Sequence, residues 1–81
     1  MSAVNRVSRL AVNDEGFIFD PVSGDSFQVS ATGLLILGAL REGKSRETIA
    51  LAITEKYDVS LEDAQRDVED FLASLKNLGF I

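Results

Sequence analysis

The chain has 81 residues, 46% of them apolar, with 13 acidic against 8 basic side chains and a net charge of −5. That is one small domain, of a size that buries only about 60% of its unfolded surface. It has no cysteine and no histidine, which excludes a disulfide framework, a thiolate metal site and the side chain that titrates nearest neutral pH. The excess of acid disfavours nucleic acid, whose binding rests first on Lys and Arg neutralising phosphates, and favours a peptide or protein partner. Apolar runs such as Leu34 to Leu37 are far too short to cross a bilayer, and the N-terminus lacks a signal peptide's apolar stretch. A soluble, cytoplasmic protein is expected.

Residues 1–5 read as a disordered start and residues 6–81 as a single domain, with Arg6 and Arg9 giving the start a local basic character. Arg6 to Val12 alternates weakly and predicts a first strand. Asn13-Asp14-Glu15-Gly16 is a turn cluster. Phe17, Phe19, Phe27 and Val29 then fall at a period of two, which predicts two strands near 17–20 and 25–29 with these four residues facing inward. Between them, Pro21 presets the φ of a type I turn, Asp20 before it is held extended, and Gly24 supplies a positive φ that closes a bulged hairpin.

Three helices are predicted next. Ser30 caps the first, in which Leu34, Leu35, Leu37 and Leu40 bracket Gly33 and Gly38. Each glycine weakens a helix by about 1 kcal/mol relative to Ala, so close approach of a neighbouring backbone is the expected return. Gly43 ends this helix and Ser45 opens the next, Arg46 to Tyr57, with Ile49, Ala50, Ile53 and Tyr57 on one stripe. Ser60 caps the third, with Asp63 at the position of a capping-box acid. Its stripe is Leu61, Ala64, Val68, Phe71, Leu72, Leu75 and Leu78, after which Gly79 stops it and Phe80 and Ile81 fold back onto the core. Three strands followed by three helices make an α+β domain resembling a winged helix with its wing strands first.

Little in the chain is suited to chemistry. Glu62, Asp63, Asp67, Glu69 and Asp70 are the densest group of functional side chains, but acids there complement a helix dipole and lie on a solvated face, and an oxygen-ligand metal site needs ligands converging from a loop as well. None of the eight serines has a histidine base, and three occupy helix-cap positions. The Gly33 to Gly38 spacing lacks the Lys-Ser/Thr of a phosphate loop. An enzyme is not expected, and no cofactor is implied. As a DNA-recognition helix the third helix would offer Arg66 and Lys76 against five acids, a segment that phosphate repels. Winged-helix DNA binding and a purely structural protein-interaction subunit remain the alternatives to peptide binding.

Three stretches carry a resemblance across residues 6 to 81. They are the hairpin and opening helix from Phe19-Asp-Pro-Val-Ser-Gly to Leu37, the link Arg41-Glu-Gly-Lys-Ser with the helix ending Tyr57-Asp-Val, and Asp67-Val-Glu-Asp-Phe-Leu-Ala-Ser-Leu-Lys-Asn-Leu-Gly79. In this order and spacing the chain resembles the PqqD-like family, the recognition elements for ribosomally made precursor peptides. It departs at Ser30, where many members have Asn, which caps equally well, and at Gly38, where a bulky residue is common and where packing or groove depth is therefore expected to differ. The resemblance implies a non-catalytic adaptor that binds a precursor's leader segment and presents it to a separate tailoring enzyme, such as a radical-SAM or kinase-like protein. The pattern is closest to stand-alone members found with a kinase-like protein related to HPr kinase. The leader is expected to add as a strand to Asp25, Ser26, Phe27, Gln28 and Val29, with side chains against Ala64, Asp67, Val68, Phe71, Ser74 and Leu75 of the third helix. Phe71 and Leu75 would supply apolar pockets, and Asp67 would pair with a leader Lys or Arg. An open strand edge also leaves a homodimer open.

Overall fold

The computed structural model describes Val7 and residues 9–81. The expected disordered start at residues 1–5, together with Arg6, lies outside the described residues. Three short strands, β1 (Ala11–Val12), β2 (Phe17–Phe19) and β3 (Ser26–Gln28), precede three helices, α1 (Ala31–Arg41), α2 (Arg46–Lys56) and α3 (Leu61–Asn77). The sheet is antiparallel in the order β1-β2-β3. The α+β class and element order are those expected from the sequence.

The first strand is shorter than expected. The Leu10 N–H donates to the Val7 carbonyl at 3.2 Å, and Val7 and Leu10 are both buried. Buried residues three apart follow a helical spacing, so the apparent alternation begins to describe a strand only at Ala11.

The hairpin is anchored by its loop. The Asp20 N–H donates to the Asp25 carbonyl, the Gly24 N–H to the Asp20 carbonyl, and Gly24 adopts φ +82°. The Asp20 side chain is buried, accepting from the Val22 N–H at 2.9 Å and from Arg9 Nε and Nη2 at 3.3 and 3.2 Å. Arg9, half of the basic start, is thus pinned to the hairpin. Its guanidinium is the main reason the Asp20 carboxyl ionises at about 2 rather than 3.8. Burial opposes that shift, and donors from Val22 and Ser23 assist it.

The inward face of β2 is the reverse of the expectation. Ile18 is 1% exposed, whereas Phe17 and Phe19 are 51% and 44% exposed. Ile18 pairs directly with Phe27, which fixes both on the core side and puts Phe17 and Phe19 outside with their partners Gln28 and Ser26. Alternation in Phe17-Ile18-Phe19 is apolar at every position, so period alone could not choose the face.

Ser30, Ser45 and Ser60 cap the three helices, each hydroxyl accepting the backbone N–H three residues on, from Gly33, Thr48 and Asp63. The Asp63 carboxylate is itself engaged by Arg66 at 3.4 Å. Ile36, Ile49, Ala50, Ile53, Ala64, Val68 and Leu72 form a core among the helices, and Val7, Leu10, Ile18, Leu37, Leu75 and Phe80 form a second one beneath the sheet. Phe71, Leu40 and Ile81 touch both. At the end of α3, Gly79 takes φ +83° and the Phe80 N–H reaches back to the Leu75 carbonyl at 2.9 Å, which folds Phe80 into the second core as expected.

Two predictions follow from this arrangement. Ile18→Ala should lower stability in urea unfolding by about 2–5 kcal/mol, while Phe19→Ser should change it by less than about 1 kcal/mol. The opposite ranking would restore the phenylalanine-inward face. For Asp20, a carboxyl with a lowered folded-state pKa stabilises fully above its ordinary 3.8 and loses that contribution as pH falls through about 2. Asp20→Asn, less stable than the parent at pH 5, should therefore lose less melting temperature between pH 4 and 2. Equal losses would place the acid sensitivity elsewhere.

Candidate functional site

β3 is an edge strand. The Asp20 N–H to Asp25 carbonyl and Val29 N–H to Gly16 carbonyl bonds, at 2.8 and 2.9 Å, bracket the β2–β3 ladder. Ladder bonds recur every second residue of an antiparallel pair, so Asp25, Phe27 and Val29 aim their main chain at β2, and Ser26 and Gln28 aim theirs at the open side. Among the described residues no strand pairs with that side.

Next to this edge lies a groove of about 680 Å³, lined by Asp25, Ser26, Phe27, Gln28, Val29 and Ser30 on one side and by Phe71, Ser74, Leu75, Leu78 and Phe80 on the other. No Cα of β3 comes within 8 Å of one in α3. Side chains alone bridge the gap. The rings of Phe27 and Phe80 meet at 5.7 Å between centroids, tilted by 34°. At the other end, Phe71 and Val29 converge on Gly33 of α1, where a Cβ would lie 3.0 Å from Phe71 Cε1 and 3.2 Å from Val29 Cβ. Gly38 is different. It is exposed with open space around it and does not line the groove, and the backbone approach expected at both glycines is found at neither: at Gly33 it is the side chains of Phe71 and Val29 that come close.

Of the residues singled out from the sequence, Asp25, Ser26, Phe27, Gln28, Val29, Phe71, Ser74 and Leu75 are brought together around this groove. Ala64 and Val68 are not. They are 0% and 1% exposed and pack among α1 and α2 in the helical core. The long apolar stripe of α3 in fact serves two surfaces: Ala64, Val68 and Leu72 turn toward the helices, while Phe71, Leu75 and Leu78 turn toward the groove. Asp67 is exposed and does not line the groove, standing one helical turn before Phe71. Ser30, Leu78 and Phe80 line it without having been anticipated there. The signal for Leu78 was its spacing of three and seven residues from Leu75 and Phe71.

Asp25 is the one charged residue in the lining, so the groove is an apolar trough with an acidic end. Two of the cations that a DNA interface would use are engaged by acids. Arg46 forks onto Glu69 at 2.8 and 3.1 Å, and Arg66 faces Glu62 and Asp63 at 3.7 and 3.4 Å. Among the described residues no acid cluster is arranged to hold a metal ion, and no helix is long and apolar enough to cross a membrane.

This geometry has relatives. The family described as coenzyme PQQ synthesis protein D (PqqD) matches residues 15–81, from the hairpin's first turn to the last residue. The chain belongs to the PqqD family. Among solved structures, PqqD-family features are shared with a lasso peptide synthetase B1 complexed with the leader peptide, at 35% identity and TM-score 0.75, covering 86% of this chain and 84% of that one. A second, TbiB1 in complex with the TbiA(beta) leader peptide, is 33% identical with TM-score 0.76, covering 88% and 84%. No curated protein matches the sequence.

Proposed function

We propose that this PqqD-family protein is a non-catalytic peptide chaperone that binds the leader of a ribosomally synthesised precursor and presents it to a separate modifying enzyme. The observation that carries the reading is the conjunction of an unpaired β3 edge with an apolar trough against α3. The two solved relatives, each complexed with a leader peptide, support it. A guest strand on β3 would bond to the outward N–H and C=O groups of Ser26 and Gln28, and alternate side chains would enter the trough between Phe27, Val29, Phe71, Leu75 and Leu78. Backbone bonds supply sequence-tolerant affinity, and the trough supplies register. The enzyme served is of the tailoring class, radical-SAM or kinase-like, and the setting is the cytoplasm, where ribosomal precursors are made.

Asp67 has a smaller part in this proposal than Leu78. An exposed acid one turn beyond the trough offers a guest cation a solvated ion pair, of about 0.2–1 kcal/mol. Leu78 is 57% exposed, so a charge there should not unfold the domain.

Titration of the labelled protein with synthetic leader peptides, beginning with the TbiA(beta) leader bound by its solved relative, should shift the amides of Ser26 and Gln28 and those from Phe71 to Leu78. Duplex DNA at low salt should shift none of them. Shifts confined to other surfaces would sink the strand-addition reading. By calorimetry, Leu78→Asp should weaken the peptide at least tenfold with an unchanged melting temperature, whereas Asp67→Ala should weaken it less than about fivefold, the ceiling set by an exposed ion pair. The reverse ranking would move the binding surface toward the start of α3.

A further inference from the structure

We infer that Gly33 is a positioning residue that sets the depth of the groove by letting Phe71 lie back against α1, so that this end accepts a bulky apolar side chain of the guest. The inference rests on the peptide reading above.

Gly33 sits in the opening turn of α1, buried, its N–H donated to the capping Ser30 hydroxyl at 3.1 Å. Its φ is not positive, unlike those of Gly16, Gly24, Gly43 and Gly79, so backbone conformation does not demand glycine. In a helix interior glycine is the least favourable residue after proline. Space supplies the reason for it. A Cβ at position 33 would lie 3.0 and 3.4 Å from Phe71 Cε1 and Cδ1 and 3.2 Å from Val29 Cβ.

Phe71 and Val29 both line the groove, and Phe71 is packed against both cores on its remaining sides. The close-packed cores resist it, so a ring displaced by a methyl group has the groove as its open direction. Gly38, in the same helix, has nothing within 4 Å of its own missing Cβ. The two glycines therefore separate helix propensity from groove shape within one element.

The test compares Gly33→Ala, Gly38→Ala and the parent. Gly38→Ala should melt no lower than the parent, because alanine is the better helix former, whereas in Gly33→Ala the crowding of Phe71 and Val29 offsets that gain. Only Gly33→Ala should move the ring resonances of Phe71 and weaken its cross-peaks to Val29, a readout that needs no peptide. Binding is then measured with the leader peptide that binds the parent best in the titration above and with versions of it in which each bulky apolar residue is replaced in turn by Ala.

The parent should lose at least tenfold for one of these replacements. Gly33→Ala should bind the unaltered leader about fivefold more weakly and penalise that same replacement several-fold less. Adding Phe71→Leu to Gly33→Ala should recover affinity, and Gly38→Ala should match the parent within twofold. An unmoved Phe71 ring, or a replacement profile of Gly33→Ala equal to that of Gly38→Ala, overturns the inference. A parent protein that binds no leader overturns the proposed function and the guest assignment with it, while a moved ring would still establish the hold of Gly33 on Phe71.

Discussion

The constraint on which the rest depends is the separation of β3 from α3. Their Cα atoms stay more than 8 Å apart, and side chains join the sheet to the helical layer: Ile18 with Leu75 in the second core, Phe27 on Phe80, and Val29 with Phe71 over Gly33. A sheet packed fully on a helix would fill this space with its own side chains and leave nothing to occupy. Here the hairpin is tied down at its far side instead. Ile18 is sunk in the core and the Asp20 loop is locked by Arg9, so the β3 edge is presented with no strand of the described residues covering it.

The end of α3 serves the same arrangement. A left-handed Gly79 reverses the chain so that Phe80 returns under the sheet, giving Phe27 a rigid partner at the groove floor. A helix that frayed at Leu78 would lose one wall and the floor together. The fully buried Ala64 and Val68 act from behind, packing α3 on α2 so that its groove face is held at fixed rotation. Their contribution to the groove is positional, and neither of them lines it.

Much of this was legible in the chain itself. The loop Asp20-Pro21-Val22-Ser23-Gly24, three serine caps and Gly79 punctuate the elements with local chemistry, and local chemistry survives folding. Face assignment was harder. In Phe17-Ile18-Phe19 every residue is apolar, and the choice is made by Ile18 pairing opposite Phe27, a register that one strand cannot disclose. The stripe of α3 likewise wraps too far round the helix for a single contact surface, and the division between Val68 and Phe71 depends on where α1 and α2 lie. The segment from Val7 to Leu10 was misread for a related reason: a few alternating residues fit a short strand and a tight turn equally well until burial distinguishes them.

An unpaired edge beside an apolar trough is a liability for a small domain, because it offers a template to any extended chain, including its own copies. Two features of this protein limit that risk. The edge is only three residues long with neutral polar side chains at Ser26 and Gln28, and a net charge of −5 opposes self-association. A guest that binds only the folded form also stabilises it by mass action, by about 2.7 kcal/mol at a hundredfold excess over Kd. On the proposed reading the domain is therefore least protected when empty and most secure when loaded. Occupancy of the β3 edge is then both the protein's task and part of its own stability.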